Sequence, residues 1–320
     1  MWRRVSVFGT APVWIREATC WVCGSDDLRQ TVTLTFQLAE YRTQDPELAA
    51  LTGAHLALNR CAACGFGQPT AMPAVDRYFD RLYDQRWSAS WIRAEFDSDV
   101  KDVIFERILS GLALRLPLAR RKLLDVGAHA GRFIRLAQKS GWYAEGLELN
   151  PRTGAFAAQA TGTRIRRVNI HDLDAADERF DAITLTDVLE HVPHPRRVLR
   201  RAAQLLEPGG CVAIKVPSGP AQVTKERWRG RLVPGYAPTI ADNLVHVSHF
   251  SARSLRLALE KAGFVDIDIE PGAPELPAPT GLPALASRAL RLSLFRLAAL
   301  VPGGVHSPVC LNLQAYARVR

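Results

Sequence analysis

The chain has 320 residues, 48% of them hydrophobic, and a mean hydropathy of -0.04. This length allows one large core with a small appended module, and the lack of an apolar run near 20 residues excludes a membrane-spanning helix. The net charge is +9, because 41 basic residues outnumber 32 acidic ones. The arginines are spread along the chain, so a general arginine bias explains this charge better than nucleic-acid binding does. It would still favour an acidic substrate or an anionic membrane surface.

The N-terminal segment, residues 1–19, is expected to be a loosely structured lead-in. It is basic and lacks the continuous apolar stretch of a signal peptide. We therefore expect a cytoplasmic protein, with peripheral contact to a membrane surface as an open alternative.

Two C-x-x-C-G turns follow, the first with Cys20 and Cys23 and the second with Cys61 and Cys64. The glycine after each pair lets both thiolates face one point, and four thiolates suit tetrahedral zinc. Four cysteines leave no open coordination position, so the predicted zinc is structural. Disulfides are the alternative, but they do not fit a chain without an export signal. Residues 1–70 are therefore predicted to form a zinc-binding module.

Residues 71–118 are predicted to form a helical linker or lid. Its aromatic residues lie at roughly helical spacing: Tyr78, Phe79, Tyr83, Trp87 and Trp91. Such a stripe usually faces a core. The alternative is a lid over a binding site, with Tyr83 or Trp87 in that site. A helix over 99–116 would then lead into a sheet.

The stretch Lys122–Asn150 predicts a strand, a glycine turn, a helix and a second strand. The first strand ends near Asp125, the turn contains Gly127 and Gly131, and the second strand carries Glu148. This order begins a doubly wound parallel sheet. Glycine lets a ligand approach the backbone closely, and an acid at that strand tip can accept hydrogen bonds from ribose hydroxyls. A nucleoside-bearing cofactor is therefore expected.

The turn itself indicates which cofactor. A dinucleotide site has G-x-G-x-x-G, whereas this turn is D-x-G-x-H-x-G, with Asp125 before it and His129 inside it. The carboxylate of Asp125 would repel a pyrophosphate but suits the cationic amine and sulfonium of S-adenosylmethionine. The alternative is an ordinary α/β turn that binds no ligand.

The next two strands end on polar residues. The third, Arg164–Val168, leads to Asp172, which could hold the exocyclic amine of adenine. The fourth, Phe180–Thr186, ends on the segment Asp187–Pro193. Functional groups of open α/β sheets gather at the carboxyl ends of strands. This segment is therefore predicted to face the same crevice as the glycine turn.

The rest of the chain completes the sheet. An insertion over 217–250 precedes a helix over 251–262, capped by a serine and ended by a glycine. Residues 264–270 and 309–319 alternate like strands and would form an antiparallel edge hairpin. The predicted fold class is α/β, with a doubly wound, mostly parallel, Rossmann-like sheet of seven strands whose last strand is antiparallel.

A second insertion, residues 271–308, separates the two edge strands and contains a predicted helix over 284–301. One helical stripe consists of Leu290, Leu294, Leu297 and Val301, with arginines on the opposite side. This stripe would pack on the domain or on a second subunit, giving a homodimer. The alternative is a helix on a membrane surface that reaches a lipid-linked substrate.

Five motifs carry a family resemblance: LLDVGAHAGRF, GLELN, FDAITLTDVLEHVPHP, LLEPGGCVAIKVPS and HVSHFSARSLRLALEKAGF. Together they resemble the class I S-adenosylmethionine-dependent methyltransferases. More narrowly, they are similar to bacterial small-molecule methyltransferases with an N-terminal four-cysteine zinc module. The resemblance runs from Cys20 to Gly263 and implies that residues 119–320 form the S-adenosylmethionine-binding domain.

The resemblance also implies a cofactor site, made of Asp125, Gly127, His129, Gly131, Glu148, Leu149, Ile170, His171, Asp172 and Asp187. The turn residues would surround the methionine part of the cofactor, and Glu148 would hold the ribose hydroxyls. The segment Ile170–Asp172 would border adenine, and Asp187 would lie beside the transferring methyl group. His129 departs from the family, which usually has a glycine there.

Methyl transfer requires in-line geometry and, for some acceptors, a base. The histidines that could serve are His191, His194, His246 and His249, because a histidine titrates near working pH. His191 follows Glu190 and is predicted to lie nearest the methyl group. The alternative is that Glu190 and His191 only stabilise the turn.

The order Asp187-x-x-Glu190-His191 also resembles a divalent-metal site of ubiquinone-biosynthesis O-methyltransferases. A metal there would lower the pKa of a hydroxyl acceptor. The favoured function is methyl transfer to a hydroxyl of a small molecule such as a sugar, a glycan precursor or a natural product. The alternatives are a nucleic-acid methyltransferase, which the cysteine segment's low basic content disfavours, and a cofactor-binding scaffold without catalysis.

Overall fold

The computed structural model describes residues 12–84, 88–176, 178–236, 238 and 245–320. Its N-terminal part consists of two small antiparallel sheets and one short helix. The elements are β1 (Trp14–Arg16), β2 (Leu28–Thr35), α1 (Pro46–Ala49), β3 (His55–Cys61), β4 (Gly67–Pro69) and β5 (Ala71–Pro73). Strands β2, β3 and β4 form one sheet, and β1 pairs with β5. The segment between the cysteine pairs thus supplies β2 and most of β3.

Three helices link this part to the main sheet: α2 (Tyr78–Asp84), α3 (Ala89–Asp97) and α4 (Asp102–Arg115). Tyr78 is buried, as a core-facing stripe requires. Trp91 and Phe79 instead line a cavity, as the lid hypothesis requires of its aromatic residues. Two other residues, Tyr83 and Trp87, were predicted for that site. Trp87 and the side chain of Tyr83 lie outside the described part of the structure.

A seven-stranded sheet forms the centre of the molecule. Its strands are β6 (Lys122–Val126), β7 (Tyr143–Leu147), β8 (Ile165–Arg166), β9 (Phe180–Thr186), β10 (Leu206–Pro217), β11 (Val265–Pro271) and β12 (Asn312–Arg318). The spatial order is β11-β12-β10-β9-β6-β7-β8. All pairs are parallel except those of β12, which lies antiparallel between β10 and β11. The predicted fold class is confirmed.

The remaining helices begin where local chemistry predicts. They are α5 (Arg132–Lys139), α6 (Pro151–Thr161), α7 (Arg196–Leu205), α8 (Gly219–Leu232), α9 (Ala252–Ala262) and α10 (Leu282–Leu300). Asn150 caps α6 by accepting hydrogen bonds from the backbone of Arg152 and Thr153. Ser251 caps α9 in the same way, through the N–H of Ser254. No helix in the described ranges is long and apolar enough to cross a membrane.

The cysteine module docks onto the main sheet through backbone and aromatic contacts. Gly67 and His249 exchange two backbone hydrogen bonds of 2.8 and 2.9 Å. Beside them, the rings of Phe66 and Phe250 meet edge to face at 5.1 Å. The Ser251 hydroxyl donates to the carbonyl of Cys64. One continuous hydrophobic core therefore joins both parts, while the boundaries drawn at residues 70 and 118 stay predictions.

Candidate active site

The four predicted zinc ligands converge on one point. The Sγ atoms of Cys20 and Cys64 are 3.6 Å apart, those of Cys23 and Cys61 are 3.5 Å apart, and all four lie within 4.8 Å of one another. A tetrahedral zinc with Zn–S bonds near 2.3 Å has sulfur–sulfur edges of about 3.8 Å. The donor set and its spacing therefore fit one zinc ion.

A cavity of about 1150 Å³ lies at the carboxyl ends of β6, β7 and β9. Nine of the ten predicted cofactor residues and the catalytic candidate His191 line it. They are Asp125, Gly127, His129, Glu148, Leu149, Ile170, His171, Asp172, Asp187 and His191. Four other predicted site residues are not part of its lining: Gly131, Glu190, His246 and His249.

The glycine turn is shaped by contacts that a side chain would prevent. Gly127 has φ 75°, and a Cβ atom there would lie 2.7 Å from Cγ2 of Val188. His129 also adopts a left-handed backbone conformation, with φ 50°. Its ring meets Trp91 edge to face at 5.2 Å. Burial, with a contribution from Lys101, lowers the pKa of His129 to about 4. His129, which departs from the family pattern, is therefore an uncharged residue in the wall of the cavity.

Glu148 is held by backbone amides. Its Oε2 accepts a hydrogen bond of 2.9 Å from the N–H of His129, and its Oε1 accepts one of 2.8 Å from the N–H of Asn150. Burial raises the pKa of Glu148, and these amides partly offset the rise. The carboxylate is thus fixed in orientation at the tip of β7 and still borders the cavity.

Asp125 lies deeper, at the end of β6. One of its oxygens accepts a hydrogen bond of 2.7 Å from the hydroxyl of Thr184 on β9. Burial raises the pKa of Asp125 to about 7, with the charge of Glu148 adding to the rise. Two carboxyl groups therefore share one wall of the cavity, and a cation placed there would stabilise their ionised forms.

The predicted adenine segment folds into a single 3-10 turn, Ile170–Asp172. Asn169 caps this turn through the N–H of His171, and Asp172 reaches back to the N–H of Asn169 at 3.2 Å. Ile170 is buried, whereas Asp172 is exposed at the rim. A local capping box thus orients Asp172, which follows the third strand as expected.

Asp187 lies between two lysines that the sequence analysis did not identify. It has φ 55°, and its oxygens accept hydrogen bonds of 2.5 Å from Lys215 Nζ and 3.1 Å from Lys101 Nζ. Burial alone would raise the pKa of Asp187, but the two ammonium groups hold it below the usual range. Lys215 could have been suspected, because it interrupts a buried apolar strand. Lys101 has no comparable signal, because it is simply the residue that precedes α4.

Glu190, His191 and His246 form a second cluster, with one donor atom of each within 4.8 Å of the others. His191 Nδ1 lies 2.7 Å from the carbonyl oxygen of Val245, and its ring meets that of His246 edge to face at 4.7 Å. Burial, with the nearby charge of Asp187, raises the pKa of Glu190 well above its usual value. Its Oε2 has no hydrogen-bond partner in the described ranges.

This cluster corrects the predicted metal-binding set of Asp187, Glu190 and His191. Both oxygens of Asp187 are engaged by lysines, and His246 takes its place in the group. The buried, unpartnered oxygen of Glu190 and the adjacent imidazoles suit a divalent ion in donor type. The structure therefore supports a different third ligand from the one predicted.

The other two histidines have different surroundings. His249 is buried at the junction with the cysteine module, where its Nδ1 lies 3.1 Å from Oε1 of Gln222. It is not part of the cavity lining, and two backbone hydrogen bonds join it to Gly67 of the module. His194 lines the cavity, and its ring packs against Trp21 of the module at 4.9 Å.

Comparison with known proteins gives the family. A family model described as "Methyltransferase domain" matches residues 96–269. A ubiquinone biosynthesis O-methyltransferase of Cereibacter sphaeroides is 34% identical over 124 residues, covering 37% of this chain and 45% of the relative. One of Aliivibrio fischeri is 36% identical over 98 residues, covering 29% of this chain and 42% of the relative. The chain thus spans less than half the length of these curated relatives.

Among solved structures, magnesium protoporphyrin IX methyltransferase from Synechocystis, with bound SAH, aligns with a TM-score of 0.47 at 13% identity. The alignment covers 76% of this chain and 93% of that one. The family match carries the assignment, because it extends over more than half of the 320 residues. The chain belongs to the methyltransferase domain family.

Proposed function

We propose that the protein transfers a methyl group from S-adenosylmethionine to a hydroxyl of a small molecule. The observation that carries the proposal is one cavity bordered by Glu148, Asp125 and His191 at the ends of three adjacent strands. The relatives named ubiquinone biosynthesis O-methyltransferase support a hydroxyl as the acceptor group.

The size of the cavity and its two carboxyl groups support binding of this cofactor. Its volume of about 1150 Å³ exceeds what one nucleoside-sized ligand needs, which leaves room for an acceptor. Glu148 would accept the ribose hydroxyls, and Asp125 would favour the cationic methionine part. Asp172 would border adenine at the rim. S-adenosylmethionine supplies the methyl group, on a positively charged sulfur.

His191 is the residue proposed to take the proton from the acceptor. With Nδ1–H donating to the carbonyl of Val245, its lone pair is on Nε2. Asp187 is a poor base, because two lysines stabilise its ionised form. His246 is also weak, since burial and the neighbouring His191 lower its pKa to about 3.

A divalent metal at the same end of β9 stays a prediction. Glu190, His191 and His246 would hold it, and it would lower the pKa of the acceptor hydroxyl. Treatment with EDTA separates the two roles of His191. Activity that survives chelation supports the base, whereas activity that is lost and restored by added Mg²⁺ supports the metal.

Zinc in the N-terminal module is proposed to be structural. All four ligands would be thiolates, so no position remains for a substrate. Elemental analysis of the purified protein should give one zinc per chain. The double substitution of Cys61 and Cys64 by Ser should remove it.

Tritium transfer from labelled S-adenosylmethionine to fractionated cell extract tests the reaction. We expect label in a small-molecule fraction, and far less label at equal incubation time with the His191→Asn variant. Label confined to RNA or DNA would instead establish the alternative of a nucleic-acid methyltransferase. Absence of label in every fraction, together with absence of S-adenosylhomocysteine binding in calorimetry, would contradict the proposal.

A further inference from the structure

The second insertion carries a long apolar surface. Six apolar side chains of α10 and its C-cap are between 47% and 82% exposed: Leu282, Leu285, Leu290, Leu297, Leu300 and Val301. They recur on one side of the helix together with exposed Ala286 and Ala289. A packed stripe was one expectation, but in the described part of the chain three of its four residues, Leu290, Leu297 and Val301, face outward.

The opposite side of α10 is anchored to the domain. Ala298 is buried, and Phe295 packs against the core with the guanidinium of Arg107 at 5.4 Å from its ring. Arg291 Nη1 donates to the backbone carbonyl of Glu275. The helix is therefore held by one face, and the exposed leucines are a fixed surface rather than a frayed end.

The charge carried by α10 itself, and by the sequence that follows it, has one sign. From Leu276 to Arg320 the sequence contains five arginines and no acidic residue. Three of these arginines, Arg288, Arg291 and Arg296, belong to α10, and Arg296 is exposed among the leucines. A cationic apolar face is complementary to an anionic lipid surface, where leucines enter the acyl boundary and arginines reach the phosphates.

A second copy of the chain fits this surface less well. A helix of 19 residues is about 28 Å long and about 10 Å wide, so its face offers roughly 300 Å². A stable dimer needs about 800 Å² from each partner. A twofold pairing of the two faces would also bury Arg296 with no acid on α10 to pair it, at a high desolvation cost.

We propose that α10 lies in the plane of an anionic lipid bilayer, with the face from Leu282 to Val301 inserted. This proposal goes beyond methyl transfer and does not depend on it. A short chain of contacts links the helix to the cavity, because Glu275, which accepts the hydrogen bond from Arg291, also pairs with the cavity residue Lys101 at 3.5 Å. A membrane-bound α10 would therefore hold the site close to the lipid surface.

Vesicle sedimentation of the full chain tests this surface. Wild-type protein should sediment with phosphatidylcholine vesicles containing about 30% phosphatidylglycerol, far more than with pure phosphatidylcholine. Salt at about 0.5 M should weaken the binding by screening the arginines. The double variant Leu290→Glu, Leu297→Glu should bind at least about tenfold more weakly, since it places two carboxylates in the inserted face.

A matched control has the same charge change elsewhere. Leu114 and Leu118 are 86% and 83% exposed near the end of α4, so Leu114→Glu, Leu118→Glu should bind like wild type. Circular dichroism should show that both variants are folded. Equal loss in both variants, or no wild-type binding to anionic vesicles, would overturn the proposal. So would a wild-type dimer in analytical ultracentrifugation that Leu290→Glu, Leu297→Glu converts to a monomer.

Discussion

The two ends of the cavity are built in different ways. At the end proposed for adenosine, Glu148 is oriented by the backbone amides of Asn150 and His129, which lie 2 and 19 residues away within one strand–turn–helix–strand unit. At the end proposed for the methyl group, Asp187 meets lysines 86 and 28 residues away in sequence. The first end is local and rigid, whereas the second depends on tertiary contacts. Substitutions should therefore affect binding at one end, and chemistry or folding at the other.

The largest expected effect concerns the methyl end. His191→Asn should lower kcat by about 10²- to 10⁴-fold, the usual contribution of a general base. Asparagine can still donate a hydrogen bond to Val245, so S-adenosylhomocysteine affinity should stay within about twofold. Single-turnover kinetics and calorimetry measure the two quantities. A matching loss of cofactor affinity would mean that His191 only shapes the cavity.

Lys215→Met should affect stability. Lys215 is buried beside the half-buried Asp187, and removing one partner of such a pair costs about 3–5 kcal/mol of unfolding free energy. Denaturant unfolding measures the loss. The double variant Lys215→Met, Asp187→Asn should recover part of it, because no unpaired charge remains. A single-variant loss below about 1 kcal/mol would show that Lys101 alone satisfies Asp187.

Glu148→Ala tests the end of the cavity proposed for adenosine. Loss of charged hydrogen bonds to the ribose should weaken S-adenosylhomocysteine binding by about 10- to 100-fold, or roughly 1.5–3 kcal/mol. Glu106→Ala, at an exposed acid outside the cavity lining, is the control and should bind normally. Calorimetry at constant pH gives both affinities. Equal affinity in the two variants would remove Glu148 from the cofactor site.

The smallest effect concerns Asp125. Its pKa of about 7 means that the carboxyl group is mostly protonated at pH 6 and mostly ionised above pH 7. The ammonium group of S-adenosylhomocysteine favours the ionised form of Asp125, so affinity for this ligand should rise by up to about eightfold between about pH 6 and 7.5. The rise should end near pH 8, where the ligand's own ammonium begins to lose its proton. Asp125→Asn should flatten this profile, and an unchanged slope would assign it to another group.

The same contrast explains what the sequence could predict. The sheet, the cysteine cluster and the positions of Asp125, Glu148 and Asp172 at strand ends depend on short-range spacing. The Lys101–Asp187–Lys215 contact and the approach of His246 to His191 depend on how distant segments pack, and no local pattern encodes that. Asp187 was therefore predicted as a metal ligand, although two lysines occupy its oxygens. His249 was predicted as a possible base because it is a histidine. Its backbone hydrogen bonds to Gly67 instead hold it at the junction with the cysteine module.

The bridge between Gly67 and His249 has a consequence for how the protein can be divided. Within six residues, the segment Val245–Phe250 contacts His191 through its first carbonyl and the cysteine module through His249 and Phe250. The module thus acts as a template that keeps this segment in register with the cavity wall. A chain shortened to begin after Ala71 would lose this template as well as the four predicted zinc ligands. The two parts should therefore be inherited, exchanged and purified as one unit.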